Sequence, residues 1–157
     1  MKICKLIYDK YQNDIGITYL KEQNNYNKYE ILEKVNNMII NKNRNLEIYT
    51  WGLKKNKPVE CDIAFDVSLF SGKTNEVNSN YKKLTGLDKS IQQSILNHNL
   101  FDILMEKVLL EIEENEPKKI GFFCNYGKHR SVGWAELLHN FYYKNAKLKH
   151  LGLKKDT

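Results

Sequence analysis

The chain has 157 residues, enough for one compact domain and too few for two of ordinary size. Apolar residues make up 41% and aromatic residues 11%, which supplies a core and argues against global disorder. Twenty-five basic against nineteen acidic residues leave a net charge of +6, a balance that favours a polyanion or a phosphorylated ligand.

In chain order, residues 2–8 and 15–20 read as short strands with a turn at Gln12–Asp14, and residues 29–40 place Ile31, Leu32, Val35, Met38 and Ile39 at helical spacing. A polar breaker at 41–45 leads into strand candidates at 46–51 and 62–70. Residues 71–83 read as a polar loop, of a length that is often functional in a small domain. Asp88 can cap a helix through Ile91 and Ile95. Asn99 opens a second helix, with Leu100, Phe101, Leu104, Val108, Leu109 and Ile112 on one face and Pro117 as its stop. Its acidic end (Glu111, Glu113, Glu114, Glu116) reads as a solvated face. Residues 120–124 read as a buried strand and 131–143 as a helix. The alternation predicts an α/β domain with a largely parallel central sheet flanked by helices.

No apolar run approaches the roughly 18–20 residues of a membrane span, and the first ten residues are too charged for a secretory signal. The expected setting is therefore the cytoplasm, with no membrane partner. Cys4, Cys61 and Cys124 are widely separated and odd in number, so neither a disulfide framework nor a zinc pattern is expected. His98 and His139 lack partners at metal-ligand spacing, and no metal or other cofactor is expected. All but two of the basic residues are lysine, which draws attention to Arg44 and Arg130.

The most informative segment joins the strand at 120–124 to the following helix. Loop amides and a helix N-terminus there can converge on an anion. Lys128, His129 and Arg130 add donors, and Arg130 can grip two oxygens at once. Gly127 permits close backbone approach or positive φ. Cys124, Asn125, Tyr126 and Ser131 complete the candidate phosphate loop. The spacing Cys124-x-x-Gly127-x-x-Arg130-Ser131 also has the form of a cysteine-phosphatase signature. In that chemistry Cys124 attacks phosphorus, Arg130 clamps the equatorial oxygens and an aspartate, with Asp66 the candidate, protonates the leaving group. The plain alternative makes Cys124 a small buried residue and 128–130 a solvated basic turn.

With what lies upstream, this loop resembles a known family. Cys124-Asn-Tyr-Gly-Lys-His-Arg-Ser-Val132 is similar to the Cys-x-Gly-Gly-x-His-Arg-Ser-Val loop in the C-terminal domain of the RNase adaptor RapZ. Leu84-Thr-Gly-Leu-Asp-Lys89 and Asp62-Ile-Ala-Phe-Asp-Val67 resemble two further family elements, in the same order. Trp51-Gly-Leu-Lys and Pro58 also stand in family-like positions. The resemblance implies a non-catalytic module that binds a phosphorylated small molecule, an amino-sugar phosphate or a nucleotide-like compound, as sensor or adaptor. RNA and an RNase are the further candidate partners, and a homo-oligomer is a candidate state. Asp66, Thr85, Gly86 and Asp88 would face the phosphate loop.

Departures from the family bear on the ligand. Asn125-Tyr126 replaces Thr-Gly, Ser68 stands where arginine is expected, and Phe70-Ser-Gly-Lys-Thr-Asn75 replaces a Pro-Asn-Pro segment. Ser71-Gly-Lys-Thr74 imitates the end of a Walker A loop, but Val67 occupies the place of its first glycine. Residues 1–45 do not resemble the family's N-terminal nucleotide-binding domain. They are expected to be an extension of unknown role packed on a RapZ-like domain spanning 46–157. The tail interleaves tyrosines with basic groups, which suits nucleic-acid contact through Lys144, Lys147, Lys149, His150, Lys154 and Lys155.

Overall fold

The computed structural model describes residues 39–70 and 81–153. The strands expected at 2–8 and 15–20, the helix expected at 29–40 as far as residue 38, the Ser71–Thr74 segment, Lys154 and Lys155 lie outside the described residues. Ile39 and Ile40 are described and belong to no helix, with Ile39 exposed rather than on an apolar face. Strand β1 runs Glu47–Gly52, β2 Ile63–Asp66, β3 Lys119–Cys124 and β4 Lys147–His150. Helices α1 (Lys89–Leu96) and α2 (Phe101–Asn115) lie between β2 and β3, and α3 (Arg130–Phe141) between β3 and β4. The strand order is β2-β3-β1-β4 and every pairing is parallel, so the domain is α/β as expected.

Alternation within the strands sends one set of side chains to the helices. Ile48, Phe65, Ile120 and Phe122 are fully buried there. Trp134 of α3 stacks on Phe122 at 5.9 Å and meets Phe101 of α2 at 4.8 Å and Phe70 at 5.0 Å. This indole is the hub of the core, and its truncation would cost about 3–5 kcal/mol. On the opposite face, the Trp51 ring crosses Gly121 and stacks on Phe123 at 5.4 Å. A Cβ at Gly121 would lie 2.3 Å from that ring and 3.1 Å from Cys61 Sγ, so only glycine fits beneath it. Cys61 is only partly buried, yet burial still pushes its thiol up to about 11.

Four local expectations change. β2 stops at Asp66 because that carboxylate accepts a bond from Ser68 N at 2.9 Å and turns the chain, so the strand does not reach Phe70. Asp88 holds the N-cap position of α1 but makes no side-chain cap; its Oδ2 accepts from Thr85 N at 2.7 Å instead. The acidic end of α2 is not simply solvated. Glu111 is buried and pairs with Lys107 at 2.9 Å, and Glu113 pairs with Arg44 at 2.8 Å. Part of the basic tail is also a strand: β4 extends the sheet beside β1.

Candidate phosphate-binding site

In parallel α/β sheets ligands gather outside the carboxyl ends of the strands, where neighbouring connections leave toward opposite faces. β1 and β3 are such a pair. The β1 connection passes the Trp51 face to reach β2, whereas β3 feeds α3 on the helical face. The β3–α3 loop lies directly over the end of β1. A Cβ at Gly52 would stand 2.3 Å from the Tyr126 carbonyl carbon, and one at Gly127 would stand 2.4 Å from Gly52 N. Gly127 adopts φ +70°, which glycine reaches without a steric penalty. Leu53 N and Lys54 N donate to the carbonyls of Cys124 and Asn125, both at 2.9 Å. Glycine pairing and two backbone bonds thus seat the loop on the end of β1, where Gly52 N also donates to Asn56 Oδ1 at 2.9 Å.

The Thr85–Gly86 turn docks on the other side. Gly86 N donates to the Lys128 carbonyl at 2.8 Å, and a Cβ at Gly86 would lie 2.1 Å from Gly133 N in α3. Asp88 and Thr85 bond each other's backbones, which stiffens this turn, while Thr85 Oγ1 accepts from Leu87 N at 3.1 Å. Of the four facing residues, Gly86 therefore packs on the loop, and Thr85 and Asp88 shape the turn that carries it. Asp66 acts at one remove: its turn presents the Ser68 carbonyl, which accepts from Arg130 Nη1 at 2.5 Å.

A cavity of about 410 Å³ opens here. Cys124, Tyr126, Lys128, His129 and Arg130, all singled out by the sequence, line it together with Lys55, Tyr81 and Lys82. Arg130 Nη1 is thus tied down, while the buried Nε–H meets no acceptor among the described residues. Lys128 Nζ donates to the Lys82 carbonyl. His129 Nε2–H donates to the Tyr81 carbonyl at 2.6 Å, and the two rings stack at 3.8 Å. Burial holds His129 below the usual imidazole range against the opposing pull of that bond, and the Lys128 charge adds to the depression. The neutral ring therefore serves as a support. Cys124 is buried, and its Sγ–H donates to Ser131 Oγ at 3.3 Å. No side chain caps the N-terminus of α3, which leaves first-turn amides for solvent or a ligand.

The remaining predicted residues lie elsewhere. Lys144, Lys147 and Lys149 are exposed at and before β4, whereas His150 turns toward the helices and meets Thr50 Oγ1 at 2.8 Å. Among the described residues no three His, Cys, Asp or Glu side chains are grouped as a metal site requires. No described helix is long and apolar enough to cross a membrane. Sequence reasoning missed Tyr81 and Lys82, because nothing local in a polar loop marks them. Gly52 carried a hint in the Trp51-Gly-Leu-Lys match.

A family profile for the RapZ C-terminal domain matches residues 44–154. The chain belongs to the RapZ C-terminal domain family. Relatives share its sequence at moderate identity. A protein from Thermosipho melanesiensis is 30% identical over 146 residues, covering 85% of this chain and 52% of its own length. One from Alkaliphilus oremlandii is 26% identical over 136 residues, covering 78% and 46%. One from Shewanella loihica is 29% identical over 150 residues, covering 86% and 52%. All three are named nucleotide-binding proteins. The chain spans about half the length of these curated relatives. The RapZ-type cysteine loop is thus the segment that ends β3 and begins α3.

Proposed function

We propose that this RapZ-type domain binds the phosphate group of a small phosphorylated molecule at the β3–α3 loop. The observation that carries the reading is Arg130: Ser68 fixes Nη1, while the buried Nε lacks a partner among the described residues. A buried donor without an acceptor costs about 1–3 kcal/mol, and a phosphate oxygen at that edge would remove the cost. Lys128 and the uncapped amides of α3 add positive potential on the same side. The names of the relatives are consistent with a nucleotide or phosphate-related ligand. Calorimetry with inorganic phosphate, glucosamine 6-phosphate and adenosine 5′-monophosphate tests this. At least one should bind the wild type, and Arg130→Ala should weaken it roughly 100-fold, as expected for losing charge-assisted bonds. Unchanged affinity would refute the assignment.

A second reading is favoured by the Cys124–Ser131 hydrogen bond, since a hydroxyl beside the sulfur can steady a thiolate. The thiolate would form a bond to phosphorus as the bond to the leaving oxygen breaks, and water would then release phosphate. Asp66, the candidate acid, points its carboxylate at Ser68 N and is not among the cavity-lining residues, which disfavours this reading. Turnover of an aryl phosphate by wild type but not Cys124→Ser would support it. RNA is the further proposed partner, through exposed Lys144, Lys147 and Lys149 together with Lys154 and Lys155. Affinity for a structured RNA should then fall steeply with salt, and removing residues 154–157 should weaken it.

A further inference from the structure

Tyr126 is the loop residue that phosphate binding alone leaves unexplained. The residue is 49% exposed, although it stands on a wall of the cavity that also holds Lys128 and Arg130. The ring sits on a rigid base, because the Tyr126 carbonyl is pressed against Gly52 and the next residue is locked at φ +70°. Lys54 Nζ and Lys55 Nζ lie 5.3 and 5.8 Å from its centroid, near the outer limit of about 6 Å for cation–π contact. Such exposed contacts are weak, and the flexible ammoniums can swing away. Nearby, Tyr81 and His129 form a second aromatic surface on the same cavity. An exposed aromatic face on a packed backbone, beside the proposed phosphate grip, suits a flat ring joined to a phosphate, and base–aromatic stacking of this kind is tolerant of base identity.

We infer that the site takes a 5′-phosphorylated nucleoside, with its base stacked on Tyr126 and its phosphate at Arg130. The inference rests on the phosphate reading above and names the ligand class of that site. A sugar phosphate without a base would leave the Tyr126 ring in water. The cavity, about 410 Å³, falls within the roughly 300–1,000 Å³ usual for small-molecule pockets. The same chemical group is offered by a free mononucleotide and by the 5′ end of an RNA.

The test is calorimetry with adenosine 5′-monophosphate, ribose 5-phosphate and a 5′-phosphorylated oligoadenylate tetramer. The proteins are wild type, Tyr126→Ala, Tyr126→Phe, Tyr126→Leu and Arg130→Ala. The mononucleotide should bind wild type about tenfold or more tightly than ribose 5-phosphate. Tyr126→Phe should keep that advantage, and Tyr126→Ala and Tyr126→Leu should erase it while ribose 5-phosphate affinity stays the same. A tetramer that binds more tightly than the mononucleotide assigns the site to an RNA end; equal or weaker binding assigns it to a free nucleotide. Equal binding of mononucleotide and ribose 5-phosphate to wild type, with both lost in Arg130→Ala, would overturn the nucleotide inference and leave the phosphate site standing. Failure of every phosphorylated probe to bind would overturn both.

Discussion

The two arginines of this chain occupy opposite ends of the sheet and opposite chemical situations. Arg44 is closed: Nε and Nη2 each reach a Glu113 oxygen at 2.8 Å, and Nη1 reaches Glu116 at 3.4 Å. Glu113 also accepts from Tyr143 Oη–H at 2.6 Å and from Asn41 N at 3.2 Å. Burial alone would push the Glu113 carboxyl up, yet these donors, Arg44 first among them, hold it below the usual carboxylate range. Burial and the Glu113 contact push the Tyr143 phenol up in turn. Arg130 is only part-satisfied, with one nitrogen tied to a carbonyl and another buried without a partner among the described residues. A charge whose partners all come from the chain fastens elements together; here it ties the 41–44 segment to α2 and to the end of α3. A charge left half-satisfied beside a cavity is where the proposed phosphate would bind.

Exchanging the two lesions breaks or confirms this contrast. Arg44→Ala should cost about 2 kcal/mol in urea denaturation, below the 3–5 of a fully buried pair because Arg44 retains some solvent. It should leave ligand affinity unchanged. Arg130→Ala should do the reverse, with affinity lost and the urea midpoint close to wild type. Gly127→Ala should cost about 1–2 kcal/mol from the left-handed backbone alone, and its Cβ would displace the loop from Gly52, so stability and binding should fall together. Tyr143→Phe should cost about 1 kcal/mol, as one hydrogen bond to a carboxylate is lost, without touching the rim.

Acid should separate the two ends more gently. His129 titrates below its ordinary value of 6.5 when folded, so it contributes stability above that pH and loses it as pH falls through the depressed value. Glu113 is likewise depressed, from 4.5, so its contribution survives until pH falls further. Melting curves taken from pH 7 to well below the ordinary Glu113 value of 4.5 should therefore show a small first decline that is absent in His129→Gln. A steeper second decline should be reduced in Arg44→Ala.

Much of this was legible in the sequence because it is written locally. The apolar face of α2, the buried run before Cys124 and the Gly127–Arg130 spacing each sit within a few consecutive residues. What was not legible depends on partners far along the chain. Glu113 and Glu116 read as solvated until Arg44, about 70 positions away, is brought beside them. Tyr81 has no local mark, since its meaning comes from stacking on His129. β4 is a short edge strand, Lys-Leu-Lys-His, whose two lysines face solvent and obscure the inward pair Leu148 and His150. Asp66 reads as a candidate acid or ligand contact, and its local turn geometry shows a third use, as the support for the carbonyl that aims Arg130.

With two arginines in the sequence, an arginine-edited nitrogen-15 NMR spectrum should contain two Nε–H signals, assignable from Arg44→Lys and Arg130→Lys. Titration with inorganic phosphate tests the central claim directly. The account predicts that the Arg130 Nε–H signal moves strongly downfield with saturation, as a buried donor gains a charged acceptor, while the Arg44 signal stays in place. An Arg130 signal that does not move while phosphate binds elsewhere, or that moves no more than that of Arg44, would contradict it.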